Sequence, residues 1–116
     1  MVADKIFAVV APLLGNRFWP LVMEEGTAYP AGTYQHVANT EAPFVDHNQL
    51  IQDWRVQITL YMDRAQGYEA LHALRDSVID ALRAMPEFVE QNFDNDDYEP
   101  DTQLYSWLLD FSFRDA

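Results

Sequence analysis

Apolar and polar residues alternate most cleanly near the end of the chain. Tyr105, Trp107, Leu109, Phe111 and Phe113 fall on one side of an extended segment, with Leu104, Ser106, Leu108, Asp110 and Ser112 on the other. This pattern predicts a strand with an aromatic core face and a mixed face that stays partly open. Trp54 to Met62 repeats it, with Val56, Ile58, Leu60 and Met62 alternating with Arg55, Gln57, Thr59 and Tyr61. Between these two strands the period lengthens. Tyr68, Leu71, Leu74, Val78, Leu82 and Met85 recur at steps of three and four, which predicts a helix over 65–85. Asp63 is placed to cap it, and Pro86 ends it.

The earlier residues are less regular. Residues 3–14 read as a helix with Asp4 near its positive end, stopped by Gly15-Asn16. Arg17 to Met23 reads as a short strand broken by Pro20, Glu24 to Gly32 as loop, and Thr33 to Ala38 as a strand. Residues 39–53 have no period and read as a long loop. That loop holds four apolar residues, Phe44, Val45, Leu50 and Ile51. They either pin it to its own domain or order it against a neighbouring subunit, and both readings stay open. Glu87 to Phe93 reads as a weaker strand, Asp94 to Asp97 as a turn, and the aromatic strand completes a hairpin. The expected architecture is a single α+β domain over 1–116. Its mainly antiparallel or mixed sheet carries helices on one face, in the order α-β-β-α-β-β.

Composition supports a folded domain. Apolar residues make up 49% of the 116, and seven Phe, six Tyr and three Trp point to an aromatic core. Nineteen acidic residues against seven basic ones give a net charge of −12. Phosphate would be repelled, so sequence-specific nucleic-acid binding is not expected. An acidic lining suits a channel through which DNA slides without sticking. With no cysteine, there is neither a disulfide framework nor a thiolate metal site. The apolar run Ile6 to Leu14 is too short to span a bilayer, and no cleavage site follows it, so no membrane partner is expected.

The chemistry-bearing residues do not assemble into a catalytic signature. Glu87, Glu90, Asp94, Asp96, Asp97, Glu99 and Asp101 form an acidic tract. A calcium loop starting at Asp94 would need Gly at its sixth position and Glu at its twelfth, where this chain has Glu99 and Tyr105. A solvated acidic hairpin is the expectation instead. His36, His47 and His72 lack metal-ligand spacing. Ser77, Ser106 and Ser112 lack a nucleophile-elbow context, and no glycine-rich phosphate loop occurs. Trp19, Trp54 and Trp107 have no basic residues interleaved, so core or interface packing is expected rather than base stacking. No catalytic residue, metal or cofactor is assigned.

Two blocks resemble the small tail-completion and tail-terminator proteins of long-tailed bacteriophages and prophages. One is Arg55-Val56-Gln57-Ile58-Thr59-Leu60-Tyr61 followed by the helix from Tyr68 to Val78. The other is Asp97-Tyr98-Glu99-Pro100-Asp101-Thr102-Gln103-Leu104-Tyr105 leading into Leu109-Asp110-Phe111. Gly15, Arg17 and Trp19-Pro20 fit more loosely, as does Thr33-Tyr34-Gln35. The segments 24–32 and 39–53 follow no sharp pattern, and 86–97 is more acidic than the family's.

The resemblance implies a structural virion tail protein made in the bacterial cytoplasm. Such proteins form a ring, usually a hexamer, that stops tail-tube growth and prepares the tail for the head. The implied partners are other copies of the chain, the tail tube protein and a head-completion or connector protein. Such work needs no catalytic group. Phe44, Val45, Leu50 and Ile51 are the candidate subunit-interface residues. Asp94, Asp96, Asp97 and Glu99 are the candidate lumen or interface acids. A head-completion or neck adaptor is the alternative. A small-molecule-binding α+β domain would instead need a deep pocket in which His36, His72 and carboxylates converge.

Overall fold

The computed structural model describes residues 2–37 and 53–114. Its elements are α1 (Val2–Val10), a 3-10 helix (Ala11–Leu14), β1 (Phe18–Pro20), β2 (Ala31–Val37), β3 (Asp53–Asp63), α2 (Tyr68–Arg83), β4 (Phe88–Glu99) and β5 (Leu104–Arg114). The five strands form one mixed sheet in the order β1-β2-β3-β5-β4. β1 runs parallel to β2, and the other neighbouring pairs are antiparallel. β4 therefore runs parallel to β3 with β5 between them, and α2 makes the crossover. The α+β class and the placement of helices on one face agree with the sequence pattern, while three strands rather than the two of the expected order lie between α1 and α2, because the short Phe18–Pro20 segment pairs as a strand of its own.

Local chemistry sets the boundaries. α1 buries Val2, Ile6 and Val10 at four-residue steps. Pro12 cannot donate a backbone bond, so the helix expected to run to residue 14 tightens into the 3-10 turn after Val10. Gly15 closes that turn at φ 60°, and the Asn16 amide donates to the Ala11 carbonyl at 2.8 Å. The 3-10 turn reaches the sheet at Gly32, where a Cβ would lie 2.9 Å from the Leu14 side chain and 3.2 Å from the Thr59 carbonyl oxygen. Only a residue without a Cβ allows that approach.

α2 begins at Tyr68, three residues later than the periodicity suggests. Asp63 is not its side-chain cap. The Asp63 carboxylate accepts from the Gln66 amide at 3.3 Å and its carbonyl from the Gly67 amide at 3.2 Å, and the intervening turn delays the helix. α2 then buries Leu71, Val78, Ile79 and Leu82 over the sheet.

The largest departure concerns the acidic turn. Asp94 to Asp97 lies inside β4, which continues to Glu99, and the reversal occurs at residues 100–103. Gln103 takes a positive φ of 57° there, and its amide donates to the Glu99 carbonyl at 2.8 Å. Intrinsic preference disfavours Asp and Asn in strands. Pairing along almost the whole of β5 overrides it, with Asp94 opposite Leu109 and Asp96 opposite Trp107.

The core lies between the helices and one sheet face. Ile58, Leu60, Leu71, Val78, Leu82, Leu109, Phe111 and Phe113 are fully buried there. No described helix is long and apolar enough to cross a membrane.

Candidate functional site

β4 carries its acids on alternating sides because it is a strand. Asp94 and Asp96 pair with core-facing Leu109 and Trp107, so they point toward α2. Asp97 and Glu99 pair with Ser106 and Leu104 and point to the helix-free face. The four candidate acids are thus two pairs on opposite faces rather than one cluster.

The α2-facing pair is held in place. Asp94 accepts from the Arg75 guanidinium and the Trp107 indole. Arg75 also bonds Asp76 at 2.7 Å and lies over the Trp107 ring, 5.2 Å from its centroid. Asp96 accepts from the Tyr68 hydroxyl at 2.7 Å. Burial pushes the Asp94 carboxyl up, but Arg75 and Trp107 outweigh it and leave it below the usual carboxylate range. The bond to Asp96 raises the Tyr68 hydroxyl. At the start of the strand, Glu87 is only 4% exposed and bridges to Lys5 of α1, which lowers its carboxyl. The tract expected to be a solvated hairpin therefore ties β4 to both helices through Glu87, Asp94 and Asp96.

The helix-free face holds a second network that the acid count does not reveal. Asp110 is 1% exposed although no helix covers it. Arg55 donates to it through Nε at 3.0 Å and Nη2 at 2.9 Å, Gln57 at 3.2 Å and Asn92 at 3.0 Å. Asn92 also bonds the Ser112 hydroxyl at 2.9 Å. Burial pushes the Asp110 carboxyl up, and the Arg55, Asn92 and Gln57 bonds more than reverse that. The same contact raises the Arg55 guanidinium. Arg55, Gln57 and Asp110 belong to the two blocks that carry the family resemblance, and the fold brings those blocks side by side. The signal available in the sequence was their shared parity on the polar sides of two strands.

The histidines do not converge. His36 packs against Trp54 with ring centroids 4.4 Å apart, while His72 sits on α2 beside Trp107 and 3.5 Å from Asp76. Among the described residues no three His, Cys, Asp or Glu side chains are placed to hold a metal ion. A groove of about 300 Å³ opens beside α1, lined by Ala3, Ile6, Leu21, Tyr34, His36 and Trp54 among others. It receives His36 but neither His72 nor a carboxylate, so the convergence required of a small-molecule pocket is not formed. Phe44, Val45, Leu50, Ile51 and His47 lie outside the described residues.

Comparison with known proteins adds three findings. The family model described as Tail completion protein gp17 matches residues 7–114. No curated protein sequence matches the chain. Among solved structures, a chain of the "Virion of native gene transfer agent (GTA) particle" shares the fold with a TM-score of 0.62 at 19% identity. The alignment covers 92% of this chain and 84% of that one.

Proposed function

Because the chain belongs to the gp17 tail-completion family, a family of structural phage tail proteins, we propose that it caps the tail tube as a ring. The ring ends tube growth and presents the finished tail to the head. The family match over residues 7–114 carries this reading. The fold shared with a chain of a gene transfer agent virion supports a place in a phage-like particle. The work is non-catalytic. A tube subunit exposes a polymerising surface, and a cap covers it without offering another identical one. The partners in this reading are further copies of the chain in a hexameric ring, with the tail tube protein below and a head-completion or connector protein above.

The charge of −12 supports the same picture. Repulsion keeps dilute subunits apart until a tail gathers them. Asp97 and Glu99, on the helix-free face, are the acids we assign to the lumen or to a neighbour. Phe44, Val45, Leu50 and Ile51 are assigned to subunit contacts.

Electron microscopy of induced lysates with and without the gene tests the reading. Headless tails of irregular, excessive length in the deletion are the expected result. Normal-length tails that fail to join heads would assign the protein to the neck instead. Normal infectious particles would overturn both virion roles.

A further inference from the structure

The large apolar side chains left exposed among the described residues fall into two groups at opposite edges of the sheet. Phe7, Leu13, Leu21 and Val22 belong to α1, the 3-10 turn and the segment after β1. Val89 and Phe93 belong to β4. A ring built from identical copies needs two different surfaces on each copy, each fitting the other, because its contacts are heterologous. The two groups differ in that way.

One member of the first group, Leu21, borders a hollow. Leu21 is 68% exposed and lines the groove of about 300 Å³ beside α1, and Val22 next to it is 76% exposed. A protein cavity half that size, about 150 Å³, accommodates benzene. The second group lies on an irregular edge strand. The β4–β5 register slips between Phe88 and Glu90 and again between Gln91 and Phe93. Each slip puts an extra residue into the edge strand and bends it. Phe93 stands there 48% exposed.

We propose that Phe93 of one copy enters the α1–β1 groove of the next, with Val89 against Val22 at the rim. This rests on the ring reading and supplies its subunit contact. With a net charge of −12, association is favourable only where charge is already matched. It is matched on either side of Phe93. Asp110, the strand partner of Phe93, is paired with Arg55, and the adjacent Asp94 with Arg75. No carboxylate lines the groove. The contact therefore buries apolar area against a groove free of acids, with the exposed Glu90 between Val89 and Phe93 left at the rim, in water.

The absence of cysteine makes the test clean. Val22→Cys and Val89→Cys chains are co-expressed during tail assembly, headless tails are isolated, and the tails are mildly oxidised. A disulfide-linked pair is expected, well above the background given when Ala73→Cys, exposed on α2, replaces either partner. Adding Phe93→Ser is expected to lower the yield of that pair about tenfold or more, because a buried aromatic anchor is lost. Phe93 is half exposed in the single chain, and an unchanged melting transition shows that the variant still folds. Tails that carry the protein but give no linkage above background would overturn this contact and leave the ring reading standing. Tails that carry none of the protein would overturn both.

Discussion

The two faces of the sheet are held by different forces. On the covered face, Ile58, Leu60, Leu109, Phe111 and Phe113 are buried under two helices, and the stabilisation comes from apolar area removed from water. On the helix-free face nothing of that kind is available. Asp110 is nevertheless buried, because Arg55, Gln57 and Asn92 lie over it and saturate it. A sheet face without a helix over it is better ordered by satisfied hydrogen bonds than by exposed hydrocarbon, which would aggregate. The difference teaches that β3 and β5 are joined twice, by packing on one side and by a polar lattice on the other.

The largest effect that sharpens this contrast is truncation on the covered face. Phe111→Ala is expected to cost about 3–5 kcal/mol in urea denaturation, the transfer and cavity loss of a fully buried ring. A loss below that of a helix-free-face substitution would end the distinction.

The next effect is at Asp110. Asp110→Ala leaves Arg55 and Gln57 without this acceptor, and Asn92 with Ser112 alone, and is expected to cost about 2 kcal/mol. Replacing Arg55 with Met in the same chain should recover part of it. The pH dependence follows from the depressed carboxyl of Asp110. The folded state prefers the ionised form, so it binds fewer protons than the unfolded chain as the solution turns acidic. The contribution is complete above the ordinary carboxylate range and disappears as pH falls through the lower folded value. Denaturation midpoints measured from neutral to acid pH should fall along that course, and Asp110→Asn should flatten the slope.

The smallest effects separate the two sides of β4. Asp94→Asn, which weakens the pairing with Arg75 and Trp107, is expected to cost about 1 kcal/mol. Asp97→Asn and Glu99→Gln should stay within about 0.5 kcal/mol, as exposed positions do. Equal costs in thermal melts would mean that the strand has no inner and outer acids.

The readability of the chain follows the same division. β5, β3 and α2 were legible because their core residues recur at the period of their backbone, and the burial of Leu109, Phe111, Leu60 and Leu82 follows from it. β4 was half legible. Its Asp94-Asn95-Asp96-Asp97 run resembles a turn by composition, and only pairing with an aromatic strand makes it extended. An edge strand tolerates such charges, which also discourage unwanted edge pairing. The parting of Asp94 and Asp96 from Asp97 and Glu99 depended on that same fact. The Asp110 network left only the shared parity of its members in the sequence, because strand register rather than spacing along the chain joins them. The end of α1 was misplaced by four residues that Pro12 turns into a 3-10 helix.

The order of strands in space has a consequence in time. β5 is the last strand in sequence, yet it sits between β3 and β4. Until residues 104–114 leave the ribosome, β3 has no partner on its inner edge and β4 has none at all. Phe111 and Phe113, which complete the core, arrive at the same moment. A nascent chain can form its helices and the β1-β2-β3 half of its sheet early, but the β3-β5-β4 half must wait for β5. The sheet therefore closes from the middle, and β4 is locked in only when β5 has paired on both of its edges.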